Sequence, residues 1–255
     1  MLEFIRGLSP DIRAAFWGFV AGLALLVGAA IGYYARVGTK TISSIMAFGA
    51  GVLVSALAFD LMDEAYNKGG LDSAIGGLVA GAVVYVAANA LVEQHGAKHR
   101  KRSGDQQSGS AEAGTAIAIG SLIDGIPESV AIGASLIAGG AVSLVTVIAV
   151  FLSNVPEGLS SSAGMRKAGR PPVYVFGLWA AVIAASAVAA WAGSAVFGHV
   201  SQDVLAAVLG VAAGAILAML ADTMMPEAFE QGGHWVALFT VVGFACAFLL
   251  GKLQA

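Results

Sequence analysis

Apolar residues run along this chain in blocks separated by short polar breaks, and most blocks are about 20 residues long, enough to cross ~30 Å of hydrocarbon as a helix. The blocks predict eight membrane-spanning helices over residues 14–34, 42–65, 71–92, 113–138, 141–165, 173–197, 204–226 and 234–250. One connection is long. Residues 95–112 carry Lys98, Arg100, Lys101, Arg102, Ser108 and Ser110, and read as a polar, mobile linker. The expected fold is an all-α integral membrane protein, with one transmembrane domain over residues 1–255.

Composition agrees with that pattern. The chain is 58% hydrophobic and 11% charged, against roughly 25% charged in soluble domains. A soluble protein with a large core would need charged helix faces, which are missing. Glycine occurs 34 times, as expected where membrane helices approach through small residues. The one cysteine, Cys246, rules out an internal disulfide and a paired thiolate site. It is expected to be a small buried hydrophobe.

Positive charge sets the orientation. With the N-terminus outside, Arg36, Lys40, Lys98, Arg100, Lys101, Arg102, Arg166, Lys167 and Arg170 all face the cytoplasm, nine of the 13 Lys and Arg. The positive-inside rule then predicts a multi-pass protein of the cell membrane, with both termini outside and the 95–112 linker cytoplasmic. Arg6 and Arg13 oppose this locally. The first apolar block exceeds the about 7–15 residues of a signal peptide, so an uncleaved helix is expected.

The second block matches the seventh at a constant offset of 163 residues. Ala50-Gly51 corresponds to Ala213-Gly214, Leu57-Ala58 to Leu220-Ala221, Met62 to Met225, Glu64-Ala65 to Glu227-Ala228, and Gly69-Gly70 to Gly232-Gly233. Five helices separate the starts of the two units, an odd number, so the units point opposite ways. Inverted repeats of this kind belong to transporters, with sites near the midplane. The expected arrangement is 3+2+3, with helices 4 and 5 as a central antiparallel pair.

That pair carries the chemistry. Asp124-Gly125-Ile126-Pro127-Glu128 and Asn154-Val155-Pro156-Glu157-Gly158 put carboxylates and prolines inside otherwise apolar helices. A carboxylate at the bilayer centre costs roughly 2.5–3.5 kcal/mol on insertion scales, so it is rarely kept for packing. Each proline also frees a carbonyl one turn earlier, which a cation can satisfy. Asp124 and Glu128 share a helix face, and Ser121 extends it by one turn. Ser153, Asn154 and Glu157 form the facing set, followed by Ser160 and Ser161. Oxygen donors of this type suit hard or borderline divalent cations. The competing reading is that the carboxylates are partly protonated and join neighbouring helices.

With these motifs and eight expected helices, the chain resembles the ZIP family of divalent metal transporters. Its helix 4 typically reads His-Asn-x-Pro-Glu-Gly, and its helix 5 is similar. The resemblance implies metal ligands at Asp124, Gly125 and Glu128 and at Ser153, Asn154 and Glu157. It also implies transport towards the cytoplasm. The chain departs from the family at Asp124 and Ser153, which replace imidazoles, at Gly125, and at Ser129, which replaces glycine. A site without histidine moves towards oxygen ligation, leaving manganese, iron or cadmium open beside zinc.

Further acidic residues flank this site. Asp60 is expected on an access path from outside and Asp222 on an exit path. Asp63 and Glu64 read as a solvated helix end; Glu227 is expected beside Asp222 on the exit path, with a solvated face an equally good reading for Glu227 and Glu230. Met62 is expected in the core. His95 and His99 read as ordinary loop residues, and His199 and His234 as helix-end residues.

The expected function is movement of a divalent cation as cargo, with no cofactor and no enzymatic activity. The partners are the ion and the bilayer, a homodimer stays open, and no nucleic acid is expected. The rival readings are a proton- or sodium-coupled carrier of an organic solute, a membrane-embedded hydrolase and a non-transporting metal sensor. The hydrolase lacks a His-Glu-x-x-His pattern, a nucleophile elbow or a cysteine–histidine pair.

Overall fold

Alanine, leucine, valine and glycine dominate the apolar blocks, and the blocks fold as helices. A computed structural model describes residues 7–35, 37–94, 111–139 and 144–254, and every regular element among them is helical. The linker residues 95–110, with His95 and His99, lie outside the described residues. The helices are α1 (Pro10–Tyr34), α2 (Thr39–Ala56), α3 (Met62–Val92), α4 (Ala111–Gly139), α5 (Leu144–Lys167), α6 (Pro172–Phe197), α7 (Gln202–Met219), α8 (Met225–Gly232) and α9 (Trp235–Gln254). A π-helical turn, Leu57–Leu61, joins α2 to α3, and another, Leu220–Met224, joins α7 to α8.

Among the described residues, seven helices are long and apolar enough to cross a membrane, which fits a multi-pass membrane protein. The sequence predicts eight. The difference lies in Thr39–Val92, where the expected second and third spans form one helical run of 54 residues. Straight, that run would measure roughly 80 Å at 1.5 Å per residue. It is kinked instead at Gly70, where φ is 72° and ψ is −172°. Such a backbone is open to glycine and strained for residues with a Cβ. Gly233 makes the corresponding break between α8 and α9, with φ 61° and ψ −148°.

The offset read from the sequence recurs in the helix boundaries. Thr39 maps to Gln202, Ala56 to Met219, Leu57 to Leu220, Leu61 to Met224 and Gly70 to Gly233, each 163 residues on. Packing partners repeat as well. The α1 helix packs on α5, and α6 on α4; α2 packs on α9, and α7 on α3; α2 also touches α5, as α7 touches α4.

Glycine makes these contacts close. A Cβ at Gly51 would strike the Thr240 carbonyl, and one at Gly214 the Leu78 carbonyl. Gly28 and Gly32 meet the carbonyls of Val155 and Leu159 in the same way, and Gly158 that of Leu25. Small residues let helix backbones approach where burial of apolar surface drives little association.

Two further findings differ from the sequence reading. The α4 and α5 helices are not an extensively packed pair: α4 lies chiefly on α6 and α7, α5 chiefly on α1 and α2, and the two meet only briefly. Cys246 is exposed, on the outer side of α9, the least enclosed of the candidate spans. By contrast α5 is the most enclosed.

Candidate functional site

The polar residues of α5 lie inside the helical bundle. Ser153, Asn154, Glu157, Ser160, Ser161 and Ser162 are all buried, with Glu157 at 7% exposure. On α4, Asp124 and Glu128 are 1% and 2% exposed, and Ser121 and Ser129 are buried with them. Three carboxylates are thus enclosed in a mainly apolar interior, where an ionised group is costly without partners.

Local chemistry explains how the helices tolerate this. Pro127 and Pro156 both sit within continuous helix. The carbonyl that Pro156 releases is that of Leu152, and Gly49 of α2 lies against it. Ser129 returns its hydroxyl to the Gly125 carbonyl at 2.7 Å, and Ser153 to that of Val150 at 2.9 Å. Trp179 of α6 donates to Ser162 Oγ at 2.8 Å, closing the polar stripe from the side.

Across helices the two motifs meet at Ser153 and Glu128. Ser153 Oγ lies 3.3 Å from Glu128 Oε1, so its one hydrogen is shared between that carboxylate and the closer Val150 carbonyl. The Asn154 amide is directed elsewhere, donating to the Ala21 carbonyl of α1 at 3.1 Å. Asp124 Oδ1 accepts from the Tyr85 hydroxyl of α3 at 2.7 Å. The faces of α4 and α5 are therefore enclosed as expected, while Asp124 and Asn154 each also bond another helix. Among the described residues no three Asp, Glu, His or Cys side chains come together as a group that could hold a metal. The donors lie on facing segments without forming a closed coordination shell.

The outlying acids sit in the π-helical turns, Asp60 in the first and Asp222 in the second. Thr146 at the start of α5 donates to Asp60 Oδ2 at 3.3 Å. Asn89 of α3 donates to Asp222 Oδ2 at 2.6 Å, and its amide also reaches Glu93 Oε1 at 3.4 Å. Asp222 is exposed and Asp60 half-buried, unlike the carboxylates of the centre. π-Helical turns insert an extra residue per turn and recur at functional sites.

The remaining candidates are placed simply. Asp63 is exposed and accepts from Asn67 at 3.3 Å, but Glu64 beside it is half-buried. Both lie within continuous helix before the kink at Gly70, not at a solvated helix end. Glu227 is buried at 9% exposure and Glu230 is exposed. Met62 and Met225 pack against the main apolar core. His199 and His234 fall in turns between helices.

Sequence reasoning missed Tyr85, Asn89 and Thr146. For the first two a signal existed: Tyr85, Asn89 and Glu93 recur every four residues in an apolar stretch, which places them on one helix face. Neither a protein-family model nor a curated protein matches this chain.

Proposed function

We propose that this protein is a divalent-cation transporter of the ZIP type, with Asp124, Glu128, Asn154 and Glu157 as the principal ligands of the cargo ion. The observation that carries the reading is the enclosure of Asp124, Glu128 and Glu157 at 1%, 2% and 7% exposure, beside prolines within helices. A cation offsets the loss of water that such buried carboxylates suffer, and it takes up a carbonyl that proline leaves unbonded. Zinc is the first candidate, with manganese, iron and cadmium close behind, because the donors are oxygens.

The 3+2+3 arrangement is part of this proposal. With Thr39–Val92 counted as two crossings separated at Gly70, the chain crosses eight times. The shared boundaries of the two repeats support inverted halves, as does the paired packing of α1 with α5 and α6 with α4. Rocking of the halves about α4 and α5 exposes the ion to one side at a time. Asp60 lines the outer approach and Asp222 the inner one. The termini lie outside the cell membrane and residues 95–112 in the cytoplasm.

Cation binding needs a rearrangement within the bundle. Ser153 turns with Glu128, and Asn154 exchanges the Ala21 carbonyl for the ion. Uptake of zinc, manganese, iron and cadmium into proteoliposomes tests the proposal. Wild type accumulates at least one ion, and Glu157→Gln abolishes it. Equal uptake by both proteins, or none by wild type, rejects it.

A further inference from the structure

A phenol enclosed among apolar helices must place its hydroxyl, and Tyr85 places it on a motif carboxylate. Tyr85 is 2% exposed, and its hydroxyl meets Asp124 Oδ1 at 2.7 Å in a buried bond between α3 and α4. Packing alone does not call for this contact. The principal partner of α3 is α7, while α4 rests on α6 and α7. A tyrosine serving only to fill space would leave a polar atom to desolvate, where phenylalanine would fill nearly the same volume at no such cost.

The chemistry of the donor is informative. A lysine or arginine at this position would also anchor Asp124, but its charge would compete with a cation for the same carboxylate. A phenol is a neutral donor with one hydrogen. It orients the carboxylate and leaves its negative charge available to an ion.

We propose that Tyr85 is a positioning residue for the cargo ion, holding Asp124 in the orientation in which it ligates. The inference rests on the reading of Asp124 as a ligand. It adds α3 to a site otherwise built from α4 and α5, and it makes cation affinity depend on the fit between α3 and α4.

The test is a double-mutant cycle on the full chain in proteoliposomes, with manganese and zinc uptake measured for wild type, Tyr85→Phe, Asp124→Asn and the double variant. Tyr85→Phe raises KM about tenfold, the size expected when a hydrogen bond to a charged group is lost. Its Vmax stays close to wild type, because the hydroxyl acts on binding. In the Asp124→Asn background the same change adds nothing to KM or, if that variant no longer transports, nothing to the Kd of manganese titrated into the purified protein. A KM rise of equal size in both backgrounds makes Tyr85 a packing residue and overturns the proposal. So does an unchanged KM in Tyr85→Phe beside a raised one in Asp124→Asn. An unchanged KM in Asp124→Asn removes the ligand reading itself, and the proposal with it.

Discussion

Asn89 of α3 donates its side-chain amide to Asp222 Oδ2 over 2.6 Å, tying α3 to the π-helical turn after α7. Asn89 is 1% exposed although Asp222 is exposed, so the bond runs from the bundle interior to its edge. Four residues earlier, Tyr85 makes the equivalent contact with Asp124. One face of α3 thus supplies neutral donors to two acidic positions on two other elements. Leucine matches asparagine in size but cannot donate. Asn89→Leu is expected to lower unfolding stability in detergent by about 0.6 kcal/mol, the average for interhelical hydrogen bonds in membranes, and by no more than about 1.7 kcal/mol. Thermal unfolding of the purified protein reads the difference, and an unchanged midpoint would show that the bond contributes nothing.

Glycine contacts give a sharper contrast. A Cβ at Gly158 would enter the space of the Leu25 carbonyl, whereas nothing lies within 4 Å of one at Gly177. Gly158→Ala must push α5 away from α1 and should cost about 1–3 kcal/mol, as overpacking does. Gly177→Ala, in an open part of α6, should be neutral or stabilise by up to about 1 kcal/mol through helix propensity. Thermal midpoints of the two variants check this pair, and equal midpoints would contradict the close approach of α1 and α5.

Metal preference should follow the missing imidazoles. On the proposed ZIP-type reading Asp124 stands where histidine is usual, and it is enclosed at 1% exposure with its carboxylate bonded to Tyr85 of α3. Asp124→His adds a nitrogen donor, which borderline ions favour over harder ones. The ratio of zinc to manganese uptake should rise by about tenfold, on the order of 1.4 kcal/mol of relative affinity. Competition uptake with both ions present measures that ratio, and a constant ratio would mean that Asp124 does not ligate.

Much of this architecture was legible in the sequence because membrane helices leave a one-dimensional trace. Apolar blocks mark spans, Gly69-Gly70 marks the kink at Gly70, and the 163-residue match anticipates the shared boundaries of α2 and α7. Burial of Asp124, Glu128 and Glu157 was also readable, because lone carboxylates in an apolar block have few other places to go. Contacts between distant elements were not. Nothing local to Tyr85 tells that α3 brings it to Asp124, and nothing local to Asn154 tells that it bonds Ala21 of α1. Cys246 was misplaced for a related reason. Apolar periodicity does not distinguish a core face from a lipid face, since both are apolar.

The π-helical turns were likewise invisible, because they depend on an i→i+5 bond and leave no mark in composition. Leu57–Leu61 and Leu220–Met224 nevertheless occupy equivalent places in the two repeats, and each contains an aspartate, at Asp60 and Asp222. The inserted residue turns the helix after it relative to the helix before it. Deleting Ala58 should restore regular α-helix there and rotate the α2 face by about 100° relative to Asp60. The chain should still insert and stay helical by circular dichroism, since every backbone bond can re-form. Uptake should fall at least about tenfold, because the Thr146 bond to Asp60 and the α2 contact at Leu152 can no longer hold together. Deleting Ala221 should act in the same way on the other repeat, at Asp222. Wild-type uptake in either deletion would mean that the π-helical turns are passive irregularities, and that Asp60 and Asp222 need no set orientation.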